Sequence, residues 1–316
     1  MKRFLIIYPG ALGDTLLTRA AILTIKKTYP GCAVDYAGNP GYLALFADEL
    51  HQIWDYFSAG LLPLFSADPE LEKSCRNWLI GYDCIIFWTA RKSELQQKKL
   101  AALHVPCVIY DSIKPPENYE FHQTRFMLTT LEVLKLSANV TPTNEILPLQ
   151  IPDNQKKVIP EPFFAIHPGS GSAKKNLPVS FYIELAEALR EKLNMAAVCT
   201  LGPAEESRLS EYGKGDWQIE RPENVQQLAN LIGGAGFYIG NDSGVTHLAA
   251  QLGIPTFAIF VASNPQVWAP IGREVYVLQQ QNKWRRYGHY YFLHELTPES
   301  VGRFVIEMEV KHQIPG

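Results

Sequence analysis

Short apolar runs alternate along the whole chain with longer segments of helical period, and this alternation constrains the fold more than any other feature. It predicts parallel sheets with helices on both faces. In the first half the predicted strands are Phe4–Tyr8, Ala33–Ala37, Cys84–Trp88 and Pro106–Tyr110, with helices over Thr15–Thr28 and about Asn118–Leu136. Between 137 and 162 the pattern breaks. Pro142, Pro148, Pro152, Pro160 and Pro162 punctuate this stretch, and Lys156-Lys157 adds charge, as expected of an interdomain linker. The alternation then restarts. Strands are predicted at Phe163–His167, Ala196–Leu201, Phe237–Gly240, Thr256–Phe260 and Val275–Leu278, and helices at Ser180–Lys192, Val225–Ile232 and Gly244–Leu252. Thr297-Pro298-Glu299 opens a last helix: threonine caps, proline suits the first position and glutamate complements the dipole. A length of 316 residues, 47% of them hydrophobic, supports two cores. The expected domains are 1–150 and 151–316, two similar folds with unrelated sequences.

Charge and cysteine usage narrow the function classes. The net charge is -3, without the basic excess of a nucleic-acid binder. Cys32, Cys75, Cys84, Cys107 and Cys199 are odd in number and form no C-x-x-C pair, which predicts reduced core thiols and suits the cytoplasm. The N-terminal apolar run is too short for a signal peptide. No stretch reaches the ~18 apolar residues of a membrane span, which leaves peripheral contact open.

Three motifs fall at predicted strand-to-helix turns, where open parallel sheets bind ligands. The first is Gly10-Ala11-Leu12-Gly13-Asp14-Thr15. It is neither a dinucleotide fingerprint nor a P-loop, and it ends in an acid that would repel phosphate. A carboxylate at a helix start ionises readily and can take a proton from an incoming hydroxyl; a helix cap with no other role is an equal reading. The second is His167-Pro168-Gly169-Ser170-Gly171-Ser172-Ala173-Lys174-Lys175-Asn176-Leu177-Pro178. Its glycines expose backbone N–H groups, its serines offer hydroxyls and its lysines charge, a set that suits a diphosphate. The alternative is an exposed polar loop. The third is Gly240-Asn241-Asp242-Ser243-Gly244-Val245-Thr246-His247. Backbone donors at its helix start, with Ser243 and Thr246, can hold a phosphate; capping by Asp242 or Ser243 and a structural His247 are the plain alternatives.

Other signals are weaker. Lys283-Trp284-Arg285-Arg286-Tyr287, followed by Tyr290, Tyr291 and Phe292, suits a phosphorylated glycolipid or membrane surface, and equally a packed surface loop. Arg91-Lys92 and Lys98-Lys99 suit an anionic acceptor or a solvated helix face. No Asp-x-Asp pair occurs and the eight histidines show no zinc spacing, so neither a metal nor a cofactor is expected.

In this order the three motifs resemble glycosyltransferase family 9, the ADP-heptose:lipopolysaccharide heptosyltransferases. The carrying segments are FLIIYPGALGDTLLTRAAILTIKKTYPGCAVDY, FFAIHPGSGSAKKNLPVSFYIELAEAL and FYIGNDSGVTHLAAQLGIPTFAIF, and His122 and Arg125 echo a further family pattern. The resemblance implies an α/β GT-B fold, two Rossmann-like parallel-sheet domains facing a central cleft, with the acceptor on the first and the donor on the second. It lets the last helix pack back on the first domain. It implies inverting, metal-independent transfer of heptose from ADP-heptose to a lipopolysaccharide core, at the cytoplasmic face of the inner membrane. Asp14 matches the general base. Lys175 is preferred over Lys174 as the phosphate lysine, because the family's x-Trp-Pro reads Asn176-Leu177-Pro178 here. Ser170, Gly171, Ser172, Asp242, Ser243, Gly244, Val245 and His247 match donor positions, and Gly10 and Gly13 the acceptor side. Leu177 for tryptophan, and Val261-Ala262-Ser263-Asn264-Pro265 for a glycine-containing loop, depart from the pattern. A nucleotide-sugar epimerase on the same fold and a non-catalytic nucleotide-binding relative are the rival readings; an oxidoreductase lacks its glycine fingerprint.

Overall fold

The computed structural model describes residues 1–58, 60–136, 148–151, 159, 162–280 and 290–313. The chain divides into two compact units, Met1–Ile146 and Leu147–Gly316. The division falls inside the proline-punctuated stretch, most of which lies outside the described residues.

The first unit is built on strands β1 (Arg3–Ile7), β2 (Ala33–Gly38), β3 (Gln52–Asp55), β4 (Cys84–Thr89) and β5 (Cys107–Ser112), with helices α1 (Leu12–Leu17), α2 (Arg19–Thr28), α3 (Pro40–Leu43), α4 (Lys73–Leu79), α5 (Glu94–Ala101) and α6 (Gln123–Thr130). The strands pair in parallel in the order β3-β2-β1-β4-β5. Leu5, Ile7, Ile85 and Phe87 are buried against Leu79, Leu100 and Leu103. The order reverses between β1 and β4, so the turn that follows β1 stands at a topological switch point.

The second unit carries β6 (Phe163–His167), β7 (Ala196–Thr200), β8 (Gln218–Glu220), β9 (Tyr238–Asn241), β10 (Thr256–Phe260), β11 (Val275–Gln280) and β12 (Tyr290–Leu293). Its helices are α7 (Val179–Leu193), α8 (Leu209–Tyr212), α9 (Val225–Ile232), α10 (Gly244–Gln251), α11 (Pro265–Trp268) and α12 (Pro298–Gln313). The sheet is parallel, ordered β12-β11-β10-β9-β6-β7-β8, and it reverses between β6 and β9. The central strands are buried along their whole length, as a sheet covered on both faces requires. One face packs Phe164, Ile166, Ile239, Ile259 and Leu278 under Phe181, Tyr182, Leu185 and Leu189 of α7 and Val301 and Val305 of α12. Each such side chain contributes about 1.5–3 kcal/mol by leaving water. The expectation of two parallel-sheet α/β halves thus holds, and α12 lies against α7 in the second unit.

Several elements differ from the predicted ones. The first helix is two: Thr18 Oγ1 turns back on the Thr15 carbonyl at 2.6 Å and separates α1 from α2, a local bond that competes with the helix ladder. The helix expected over 118–136 is shorter. His122 caps α6, its ring nitrogen accepting from the Thr124 N–H, and Lys135 at φ 50° closes the turn after it. Strands β3, β8 and β12 and helices α3, α4, α5, α8 and α11 were not predicted. Three of the cysteines are buried and two half-buried, all free thiols.

Candidate active site

At the switch point of the second unit the loop after β6 meets the turn after β9. Asn241 ties them together: its Nδ2 donates to the Pro168 carbonyl at 2.7 Å, and its Oδ1 accepts from Tyr182 OH of α7 at 2.6 Å. Lys175 Nζ then reaches Asp242 Oδ2 at 2.7 Å, so the second and third motifs form one cluster. Ser263, from the loop after β10, donates its hydroxyl to the same carboxylate oxygen. The carboxylate is almost closed to solvent while about a third of the lysine side chain is open. A buried carboxylate needs such a partner, and the lysine keeps an open side from which to meet an anion. Lys174, its neighbour, is exposed.

Ser243 is the cap of α10, accepting from the Thr246 N–H at 3.4 Å, so the capping reading applies to it. Thr246 is fixed from beneath by the Asn241 carbonyl and by Tyr238 OH at 3.1 Å. Gly244 and Val245 are half-exposed. First-turn N–H groups lack partners within their own helix and attract anions. His247 is buried one turn in.

The glycine-serine loop is braced by hydrogen bonds of its own side chains. Ser170 Oγ lies 2.6 Å from Asn176 Oδ1 and 2.8 Å from the Ser172 carbonyl. It braces the loop internally; Ser172 is half-buried as well, and Gly171 is exposed. Nothing stands within 4 Å of a side chain at Gly171, but at Gly169 a Cβ would meet Glu205 Oε1 at 1.9 Å. The buried Glu205 accepts the Gly202 N–H at 2.8 Å with its other oxygen. His167 Nδ1 lies 2.8 Å from the Thr200 carbonyl, which makes that nitrogen the N–H donor. Burial holds its pKa below the usual histidine value, against the opposing effects of that hydrogen bond and of the Glu205 charge. Leu177, in place of tryptophan, packs on the α7 core.

In the first unit Asp14 is the third residue of α1, half-buried; the cap position belongs to Ala11. Thr15 Oγ1 donates to the Gly10 carbonyl at 3.1 Å and draws the turn tight. A Cβ on Gly10 would stand 2.3 Å from the Tyr8 ring, so glycine is needed there, while Gly13 is already helical and buried. Burial, and after it the Asp14 charge, push the Tyr8 phenol far above its ordinary range, and burial does the same to Tyr36. Two phenols with pKa values above their ordinary range thus stand within electrostatic reach of Asp14. Arg125 stacks on Phe121 at 4.1 Å.

Two of the weaker basic residues have partners within the first unit. Lys99 is buried, its ammonium donating to the Pro63 and Ser66 carbonyls and to Ser66 Oγ, and Lys92 pairs with Asp111 at 2.6 Å. The basic-aromatic stretch 283–289 lies outside the described residues; Tyr291 beyond it packs on Tyr276 and Phe304. Among the described residues no cluster of three acidic, histidine or cysteine side chains has metal-binding geometry, and no helix is long and apolar enough to cross a membrane. The sequence reading missed Asn176, Tyr182, Glu205, Asn241 and Ser263. Of these, Asn176 and Asn241 stand inside the second and third motifs and Ser263 in the departing loop, without a role of their own in the sequence reading.

Comparison with curated proteins finds no match. Among solved structures, the chain is similar to a family 9 glycosyltransferase from Veillonella parvula DSM 2008, at 16% identity and TM-score 0.75, over 98% of this chain and 97% of that one. It is similar to E. coli ADP-heptose LPS heptosyltransferase II at 17% identity and TM-score 0.74, over 99% and 100%. It is also similar to E. coli heptosyltransferase WaaC with ADP at 18% identity and TM-score 0.66, over 96% and 99%; WaaC has also been solved with ADP-2-deoxy-2-fluoro heptose. These likenesses fix the fold as GT-B. The model of glycosyltransferase family 9 (heptosyltransferase) matches residues 125–287, from α6 through the whole Lys175–Asp242 cluster. That match spans a little over half of the sequence, and the chain belongs to this glycosyltransferase family.

Proposed function

We propose that the chain transfers heptose from ADP-heptose to a sugar hydroxyl of a lipopolysaccharide core, with inversion at the anomeric carbon. The observation that carries this reading is the Lys175 ammonium, held by Asp242 beside the first turn of α10 at the switch point of the second unit. It supplies positive charge and backbone donors together, the pairing a diphosphate leaving group needs.

Asp14 takes the acceptor proton as the hydroxyl oxygen attacks the anomeric carbon. The bond from that carbon to the diphosphate oxygen breaks on the opposite face, and its electron pair leaves with ADP. Lys175, with the Gly244 and Val245 N–H groups, meets the charge that grows there. Gly171 and Ser172 face the diphosphate from a loop that Ser170 braces internally, and His247 supports the helix turn from within. Donors placed in advance in this way lower a barrier by about 3–4 kcal/mol each, and a general base adds about 10²–10⁴-fold. Lys175 takes the place that a divalent cation fills in metal-dependent transferases. Work on a lipopolysaccharide acceptor places the enzyme at the cytoplasmic face of the inner membrane, held by peripheral contact.

The test is incubation with ADP-heptose and a heptose-deficient lipopolysaccharide acceptor, followed by ADP release and the anomeric configuration of the product. Acceptor-dependent ADP release with an inverted product is expected. Conversion of the donor to an isomer without acceptor would make the protein an epimerase, and an inert donor would remove the reading.

A further inference from the structure

Gln279 is the penultimate residue of β11. It is deeply buried, and neither Nε2 nor Oε1 has a hydrogen-bond partner. A buried amide with nothing to bond is destabilising, and an apolar side chain of similar size would avoid the loss. Such a group in a native chain calls for an explanation.

Its position supplies one. Successive side chains along a strand face opposite sides. Leu278 enters the core beneath α7 with Phe257 and Ile259, so Val277 and Gln279 face the other way, where Val277 packs with Ala258 and Phe260. Gln279 pairs in register with Phe260, and Ile259 with Asn241. Asn241 points to α7 through Tyr182. Asp242 therefore shares the face of Phe260 and Gln279, and Ser263 after β10 turns back to Asp242. Along the carboxyl edge the order is Lys175 with Asp242, then Ser263, then Gln279. Glu205, after β7, stands on the other flank of the β6/β9 switch point. A nucleotide sugar whose diphosphate sits at that point extends toward both flanks. Ser263 links the Lys175–Asp242 pair to the β10 side of the switch point, and a sugar bound on that side would lie toward the β11 edge that carries Gln279. An amide matches a pair of hydroxyls, since Oε1 accepts from one and Nε2 donates to the other.

We propose that Gln279 reads hydroxyls of the transferred sugar and is a specificity-determining residue of the donor site. This rests on the nucleotide-sugar reading above. Three side-chain torsions let the amide turn up to the edge when the donor seats there.

The experiment compares the full chain with Gln279→Met, titrated calorimetrically with ADP and with ADP-heptose, alongside thermal unfolding without ligand. The variant should unfold at the same or a higher temperature and bind ADP within about twofold of the parent. ADP-heptose should bind about tenfold more weakly, as loss of one or two hydrogen bonds implies. Equal weakening of both ligands would assign Gln279 to the nucleoside or to the shape of the site, and overturns the proposal. Unchanged binding of both makes the amide structural and overturns it too. If Gln279→Met does not fold, Gln279→Asn, which withdraws the amide by one methylene, should show the same selective loss, and its absence counts equally against. A parent protein that binds neither ligand would overturn the donor reading itself, whereas a parent that binds both, with an indifferent variant, overturns only the role of Gln279.

Discussion

Replacing Lys175 by methionine keeps most of the length of the side chain and removes its charge, which leaves Asp242 with the Ser263 hydroxyl as its remaining partner in the cluster. Two unit charges ~4 Å apart interact by about 1 kcal/mol in water and about 4 kcal/mol at the effective dielectric near a protein surface. The carboxylate here is almost closed to solvent and the lysine about one-third open, so the value falls between these limits and is further reduced by screening on the lysine side. A loss of about 1–3 kcal/mol follows, in line with hydrogen bonds to charged groups. For a unit of this size that lowers Tm by roughly 2–4 °C per kcal/mol. Asp242→Asn on top of Lys175→Met removes the orphaned charge and should recover most of the loss, the signature of a coupled pair. The same substitution removes the cation proposed to face the diphosphate, so ADP affinity should fall by about 10–100-fold. Thermal unfolding in phosphate-free buffer reads the first effect and calorimetric titration the second. A Lys175→Met protein with parental Tm and parental ADP affinity would refute the reasoning on both counts; a double variant no more stable than Lys175→Met would refute the pairing alone.

Asp14→Asn should leave donor affinity unchanged and lower kcat by about 10²–10⁴-fold; parental turnover would remove Asp14 from the chemistry. Burial lowers the pKa of His167 in the folded chain, while the unfolded chain protonates it below about pH 6.5. The folded-state pKa is the lower one, so stability is full above that pH and declines as the solution is acidified through it, by at most about 1.4 kcal/mol per pH unit. His167→Gln should flatten that part of the profile, and an unchanged slope would count against a buried neutral ring. Gly169→Ala places a Cβ against Glu205 and should cost about 1–3 kcal/mol as overpacking, whereas Gly171→Ala, with open space around it, should not alter Tm; equal effects would contradict the loop geometry. Transfer activity should survive exhaustive chelation under the proposed mechanism, in which Lys175 carries the charge role; loss restored by a metal ion would contradict that proposal.

The sheets were legible in the sequence because a strand covered on both faces needs an apolar run, and Phe163–His167 or Thr256–Phe260 can hardly be read otherwise. The unread strands are short or mixed: Gln52–Asp55 and Gln218–Glu220 carry polar residues at exposed or half-exposed positions. The split of the first helix hides in one threonine hydroxyl, since Thr18 looks like any helix residue until its bond to Thr15 is seen. In the site, the turns that present backbone N–H groups were legible because glycine and capping residues mark them. What escaped was everything joined across strands. Ser263 reaches Asp242 over 21 positions of sequence and Tyr182 reaches Asn241 over 59, and no local spacing announces such bonds. Glu205 escaped for the same reason. Its constraint is written at Gly169, whose bare Cα it needs, while the reader of the sequence looks to Gly171.

The central claim is that the second unit holds the diphosphate of a nucleotide donor at Lys175 and the start of α10. Thermal unfolding in the presence of ADP, UDP, GDP or dTDP tests it most directly. A ligand at about 100 times its Kd stabilises the folded state by about 2.7 kcal/mol, a shift of several degrees. ADP is predicted to raise Tm in the parent and to lose most of that effect in Lys175→Met. Absence of any shift with all four nucleotides, or a full ADP shift in the variant, would contradict it.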